Sequence, residues 1–275
     1  MQFAVYTVRN PKVSPLVKYI LFNYSLDSSD RTSVISYANN NICLGIVQGK
    51  KLNRTETGEI SGTESSGISS YLSGMYLTPH CFLNQGLLDE ICIDFSPLGF
   101  YKFSRMPVQT YIFDGDPLRE ILGAQAIHFF ERIFEIADIQ ERGILIEELL
   151  LKRMDTYADP FLAEALACIH QRNGQLDLTT LTRQLNCSEN KLLRAFKRHF
   201  DITPKEYIRI VRFRHSLHYL KTNTKEALTD IAYRSGYYDQ SHFIREYHFF
   251  THSSPKCMRE NLISIEQEVM ISVNS

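Results

Sequence analysis

Two periods of apolar and polar residues run along the chain, and the change between them falls near residue 115. Before it, Phe3-Ala4-Val5-Tyr6-Thr7-Val8 is aromatic and β-branched, and Ile42-Cys43-Leu44-Gly45-Ile46-Val47 is a short apolar run. Further on, Ile91, Ile93 and Phe95 alternate with Cys92 and Asp94. These are strand patterns. The Gly/Ser/Thr-rich stretch from Thr55 to Ser70 reads as loop and hairpin turns. Several short strands at this spacing predict a small barrel or sandwich, with a cupin-like form among the candidates.

From Asp116 the apolar positions recur every three or four residues: Leu118, Ile121, Leu122, Phe129, Phe130, Ile133, Phe134 and Ala137. That spacing predicts one face of a helix, with Asp116 as its cap and Pro117 in the first helical position. A second helical stretch, Glu141 to Met154, carries Ile144, Leu145, Glu148, Leu149 and Leu151. Two such helices can cover a sheet or pair with a second subunit, and periodicity does not separate the two. Asp155-Thr156-Tyr157-Ala158-Asp159-Pro160 reads as a hinge. Beyond it helix succeeds helix, the first over Phe161–Gln171 and stopped by Asn173-Gly174, a helix-terminating pair. The expected architecture is therefore α+β in two domains. Residues 1–157 form a β-rich domain ending in helices, 158–263 an all-helical domain, and 264–275 a tail.

The helical half contains an internal duplication with a period of about 50 residues. Leu178–Leu185 predicts a short helix, Asn186-Cys187 a turn, and Ser188 the cap of a helix to Phe200. Leu228–Ser235, Gly236-Tyr237 and Asp239–Phe249 repeat the plan. Leu181 matches Ile231 at an offset of 50, whereas Phe196 matches Tyr247 and Pro204 matches Pro255 at 51, so the second turn is one residue longer. Short helix, tight turn and longer helix make a helix-turn-helix, whose second helix enters the major groove of DNA. The helix linking the copies, Pro204 to Lys221, is roughly 27 Å long at about 1.5 Å per residue. That can set two recognition helices on one duplex face about a turn apart, ~34 Å, as two parallel rods aimed at neighbouring grooves.

Charge supports this reading once it is divided. The 275 residues carry a net charge of −1, but residues 160–263 sum to +6, with 16 Lys+Arg against 10 Asp+Glu, and residues 1–159 sum to −5. Glu266 and Glu268 make the tail negative. One half is suited to a polyanion and the other is not. At 44% hydrophobic and 22% charged residues, the chain is neither disordered nor collagen-like. No apolar run approaches the length of a membrane span and no leader pattern opens it, so a cytoplasmic, membrane-free protein is expected. Cys43, Cys81, Cys92, Cys168, Cys187 and Cys257 form no C-x-x-C and read as free thiols rather than zinc ligands.

The strings Leu192-Leu193-Arg194-Ala195-Phe196-Lys197-Arg198 with Thr203-Pro204-Lys205-Glu206-Tyr207, and Asp230-Ile231-Ala232-Tyr233-Arg234-Ser235-Gly236-Tyr237 with Asp239-Gln240-Ser241-His242-Phe243, closely resemble the AraC/XylS family of bacterial transcription regulators. The resemblance covers Phe161 to Arg259. It departs at Thr251-His252, where the family has an apolar residue and Gly, and at Met258, where an aromatic is common. In the first half, Phe95-Ser96-Pro97-Leu98-Gly99-Phe100-Tyr101 resembles the sensor-side domain of some members.

On the first recognition helix Leu192 and Phe196 must face the core, which turns Asn190, Lys191, Leu193, Arg194 and Lys197 outward. On the second, Phe243 and Tyr247 face inward and leave Gln240, Ser241, His242, Ile244 and Arg245. The resemblance places the base-reading positions on Asn190, Leu193, Arg194, Gln240, Ser241 and Arg245. Arg194 suits guanine, Asn190 adenine, and Leu193 only a thymine methyl. Lys191, Lys197, Arg198, Lys205, Arg209, Arg212 and His242 are expected at phosphates, which fix register without reading sequence. The family resemblance also implies a regulatory, effector-binding or dimerisation role for residues 1–157, double-stranded DNA and RNA polymerase as partners, a small effector of unknown identity, and a homodimer through helices 117–154.

Catalytic signals are weak. Ser188-Glu189-Asn190-Lys191 matches S-x-x-K, but Ser188 is a helix cap and the partner motifs are missing. His215 with His218, and His80 beside Cys81, lack further ligands. No catalytic residue, metal site or cofactor is expected. The chain reads as a sequence-specific transcription regulator, an activator by resemblance. The alternatives are a DNA-targeted enzyme of the alkyl-transfer repair type and a non-specific architectural binder.

Overall fold

The apolar runs of the first half become strands because their residues pack on a pleated surface buried on at least one side. The computed structural model describes all residues except 57, 106–107, 109–110, 113–114, 156, 158, 266–268 and 275. The strands are β1 (Gln2–Tyr6), β2 (Val17–Ser25), β3 (Arg31–Ser36), β4 (Ile42–Arg54), β5 (Ile60–Ser73), β6 (His80–Gln85), β7 (Leu88–Phe95), β8 (Tyr111–Ile112), β9 (Ile263–Ile265) and β10 (Val269–Asn274). They form one sheet in the order β1-β2-β7-β4-β5-β6-β3-β10-β9, with β8 on β5. The edge strands β1 and β9 touch, so the sheet is rolled into a nearly closed barrel.

Two expectations are corrected here. The stretch 55–70 is turn only at its start, because β5 pairs with β4 from Ile60 onward, Lys50 lying opposite Glu64 and Lys51 opposite Thr63. Its Ser and Thr residues are tolerated because this rim of the sheet is exposed to water. The register breaks between Gln48 and Lys50, where Gly49 takes φ +73, a conformation that favours glycine. The supposed tail is likewise no tail. Ile271 to Asn274 pair with Ser36 to Ser33, so the last strand of the chain completes the first domain. Glu266 and Glu268 lie outside the described residues.

Helices α1 (Pro117–Leu122), α2 (Ala126–Phe134) and α3 (Ile139–Arg153) lie against the outside of the barrel. Asp116 caps α1 through Arg119 N at 3.1 Å. Gly123, at φ +89, separates α1 from α2, so the single helix expected there is two. Leu118, Phe130, Ile133, Ile146 and Leu150 are buried in the same core as Ile91, Ile93 and Phe95. Their apolar faces therefore cover the sheet. Arg142 of α3 holds Asp89 at the edge of β7 with two hydrogen bonds, 2.8 and 3.0 Å.

The carboxy-terminal half is α4 (Pro160–Gln171), α5 (Leu178–Gln184), α6 (Glu189–Phe200), α7 (Pro204–Thr222), α8 (Leu228–Arg234), α9 (Gln240–Thr251) and α10 (Pro255–Asn261). Of the expected hinge, Thr156 and Ala158 lie outside the described residues. Asp155 N–H donates to Lys102 O, and Asp159 caps α4 through Leu162 N. The helical domain meets the first domain through α7 and through the end of α6, where Tyr101 O–H donates to His199 O. The Tyr207 hydroxyl of α7 bonds His170 Nε2 at 2.7 Å and receives Asn40 Nδ2 at 3.4 Å.

Candidate nucleic-acid interface

Both helix-turn-helix units are built from the same parts. Leu181, Leu192 and Phe196 are fully buried in the first, and Ile231, Phe243 and Tyr247 in the second. These are the positions that repeat at 50 or 51. The turns match as well. Asn186 takes φ +45 in the first and Gly236 takes φ +77 in the second. Both are left-handed conformations, which Asn and Gly tolerate best. Ser188 Oγ accepts from Lys191 N to start α6, and Asp239 Oδ1 accepts from His242 N to start α9.

The exits of the two recognition helices also correspond, and they explain the departure at Thr251-His252. Asp201 after α6 and His252 after α9 both close their helices in the left-handed region, at φ +55 and +53. A glycine would adopt that conformation at lower cost. Thr251, buried where the family has an apolar residue, sends its hydroxyl to Tyr247 O at 2.6 Å, and its Oγ1 accepts from Ser253 N. Pro204 and Pro255 then open α7 and α10 behind the caps Thr203 and Ser254. Met258 is buried and Arg259 donates to Thr224 O and Glu226 O, so α10 holds the loop before α8.

Asn190, Lys191, Leu193, Arg194, Lys197 and Arg198 are exposed on α6. Leu193 is 38% exposed, an apolar side chain in water on the helix that the resemblance assigns to base reading. Gln240, Ser241 and Arg245 are exposed on α9, with His242 half-buried. The Thr229 hydroxyl of α8 donates to Gln240 Oε1 at 2.9 Å, which orients this amide at the start of α9.

The other expected contacts divide. Lys205 is exposed at the start of α7. Arg209 does not join the exposed set, because its guanidinium makes a two-pronged pair with Glu246 of α9, at 3.0 and 2.8 Å, and lies 4.4 Å from the centre of the Phe249 ring. It braces α7 against α9. Arg212 is half-buried 5.2 Å from the Tyr237 ring. Lys191 sits over Phe161 at 4.2 Å, and Lys197 donates to Asp201 O.

Sequence reasoning missed Tyr238. Tyr237 takes the buried position in the turn, which leaves Tyr238 86% exposed immediately before the cap of α9. Tyrosine hydroxyls are common donors to phosphate. The only signal for it was the doubled Tyr, since one short turn cannot bury both rings. Among the described residues no cluster of His, Cys, Asp and Glu could hold a metal ion. None of their helices is long and apolar enough to cross a membrane.

Residues 181–261 match the family described as a helix-turn-helix domain. The HTH-type transcriptional activator RhaS of Enterobacter sp. (strain 638) is 29% identical over 125 residues, 46% of this chain and 39% of its own. RhaS of Salmonella arizonae is 28% identical over 149 residues, 54% of this chain and 48% of its own. The match thus spans less than half the length of these curated relatives. Among solved structures, ToxT from Vibrio cholerae is similar at a TM-score of 0.47 and 15% identity, with 87% of this chain and 98% of that chain covered.

Proposed function

With residues 181–261 matching the helix-turn-helix domain family, we propose that the chain is a regulator of the AraC/XylS type, a sequence-specific transcription regulator reading two successive major grooves. The observation that carries this is the correspondence of buried anchors, left-handed turn residues and helix exits between two units that expose different polar side chains. A helical hairpin kept only for packing needs no such set facing water. The linking helix α7 has 19 residues, roughly 28 Å at about 1.5 Å per residue, against ~34 Å for a duplex turn.

Asn190, Leu193, Arg194, Gln240, Ser241 and Arg245 are the proposed base readers. Lys191, Lys197, Arg198, Lys205 and Tyr238 are proposed at phosphates, with His242 at the edge of that set. Selection of bound sequences from a random pool, followed by titration at fixed salt, tests this. Two half-sites about one turn apart and a specificity ratio of about 10³ or more are expected. Arg194→Ala and Arg245→Ala should each cost about 1–3 kcal/mol at particular base pairs only. Equal losses on every sequence would remove them as base readers, and a ratio near one would favour an architectural binder.

The barrel is the regulatory domain in this reading, joined to the DNA-reading half through α7. Effector binding in the barrel, activation through RNA polymerase and a cytoplasmic site of action are proposed with it. A homodimer would use the outer side of α3, where Ile144 is exposed, since the inner faces of α1–α3 are occupied. A single species of monomer mass in sedimentation would reject the dimer. Against the alkyl-transfer alternative stands one barrel thiol, Cys43. An alkyl-transfer enzyme needs an activated thiolate, whereas a hydrogen bond with Cys92 and burial push the Cys43 thiol up.

A further inference from the structure

The barrel encloses a cavity of about 130 Å³, comparable to the ~150 Å³ that accommodates a benzene-sized molecule. Its inner wall on β7 is acidic. Glu90, Cys92 and Asp94 point inward while Ile91, Ile93 and Phe95 point out beneath α1–α3, as the two-residue period of a strand requires. Each carboxyl group is held by an asparagine. Asn23 Nδ2 donates to Glu90 Oε2 at 2.7 Å and Asn41 Nδ2 donates to Asp94 Oδ1. Tyr71 O–H donates to Glu90 Oε1 at 2.9 Å.

The asparagines are more than nine-tenths buried, and both line the cavity. Asn23 Oδ1 and Asn41 Oδ1 accept no hydrogen bond from any described residue. Buried acceptors are seldom left so. The wall therefore presents two carboxyl groups and two unanswered carbonyl oxygens. A ligand that answers them brings N–H donors, and its positive charge would restore to both carboxyl groups the ionised form that burial opposes.

Cations of the protein already lie at the two ends. Along β4 the levels run from Cys43, opposite Asp94, through Val47, opposite Glu90, to Lys50. At the Lys50 end, its ammonium donates to Gln85 O at 2.7 Å. At the other end Arg214 of α7 lines the cavity, and with Lys18 it opposes the effect of burial on Asp94. Between them burial pushes the Glu90 carboxyl up, and only neutral donors, Asn23, Tyr71 and Cys92, oppose that shift.

We propose that the barrel cavity binds a small organic cation, an ammonium or guanidinium compound, with its head received by Glu90 and Asn23. Tyr19 and Tyr71 line the same space and supply aromatic faces that attract cations. A second cationic group on the ligand would reach Asp94 and Asn41 and compete with Arg214 there. Because Arg214 belongs to α7, that competition loosens the linking helix from the barrel. This last step rests on the regulatory reading above, whereas the binding itself does not.

Calorimetric titration of the full chain with butylamine, putrescine and agmatine, against erythritol and butyrate, tests the ligand class. Saturable binding of the amines alone is expected. Glu90→Gln, nearly isosteric, should weaken it by about tenfold or more, equivalent to about 1.4 kcal/mol. Arg214→Ala should tighten agmatine severalfold, which gives a second reading if Glu90→Gln fails to fold. Erythritol or butyrate binding as well as the amines, no amine binding up to about 10 mM, or an unchanged Glu90→Gln would overturn the proposal. Operator binding is measured separately without amine. A chain that ignores operator DNA yet binds amines would overturn the regulator reading alone, and the reverse result would overturn the ligand class alone.

Discussion

In the first helix-turn-helix, α6 turns four basic residues outward, Lys191, Arg194, Lys197 and Arg198, whereas α9 of the second turns out Arg245 among neutral side chains and histidines. Their attachment differs as well. The end of α6 is tied to the rest of the chain: Tyr101 O–H donates to His199 O, and the Tyr157 hydroxyl meets His199 Nε2 at 2.9 Å. The second unit is held by α7 through the Arg209–Glu246 pair, by Arg259 on the loop before α8, and by Gln175, whose Nε2 donates to Arg234 O. Its first helix starts at Ala227 without a side-chain cap, while Asp177 caps α5 through Thr180 N at 2.7 Å. A duplicated skeleton thus carries one more basic unit and one more neutral unit, and in the proposed reading the first would contribute more of the phosphate contacts.

Removing the central anchor of the second unit gives the largest expected effect. Phe243→Ala should cost about 3–5 kcal/mol in denaturant unfolding. Next, Arg209→Ala leaves Glu246 buried without its partner and should cost about 3 kcal/mol. If α7 braces the second unit in this way, hydrogen exchange in that variant rises in residues 228–251 and stays unchanged in α5 and α6. A uniform rise would abolish the contrast in attachment.

Ala227→Ser should supply the missing cap and stabilise by about 1 kcal/mol, read as a higher midpoint in urea. Lys197→Ala should lower the salt slope of DNA binding by about 0.9 with little change in which sequence is preferred. A change of preference without a change of slope would erase the division of labour between the two units.

The helical half was legible because its signals are local. Caps, turn residues and a three-to-four-residue period lie within a few positions of one another, and their repetition doubled each one. Leu192, Phe196, Phe243 and Tyr247 face inward as helical geometry requires. Arg209 was not legible, since its partner Glu246 is 37 residues away and an arginine on a basic helix looks the same whether it meets phosphate or carboxylate. The interruption at Gly123 was equally hidden, because the apolar period continues through it.

The barrel separates what order along the chain fixes from what only folding decides. Alternation in residues 91–95 establishes a strand with two unlike faces. It does not tell which face meets water, and on an open sheet the polar face would. Closure of the sheet reverses that, so Glu90 and Asp94 are enclosed and burial pushes the Asp94 carboxyl up to about 8. The same closure recruits Ile271–Asn274 from the far end of the chain as a neighbour of β3. Sequence by itself determined the local elements and the duplicated helix-turn-helix, because those depend on neighbours in the chain. The acidic interior, the last strand and the placement of Arg214 depend on which distant surfaces meet, and no local pattern encodes that.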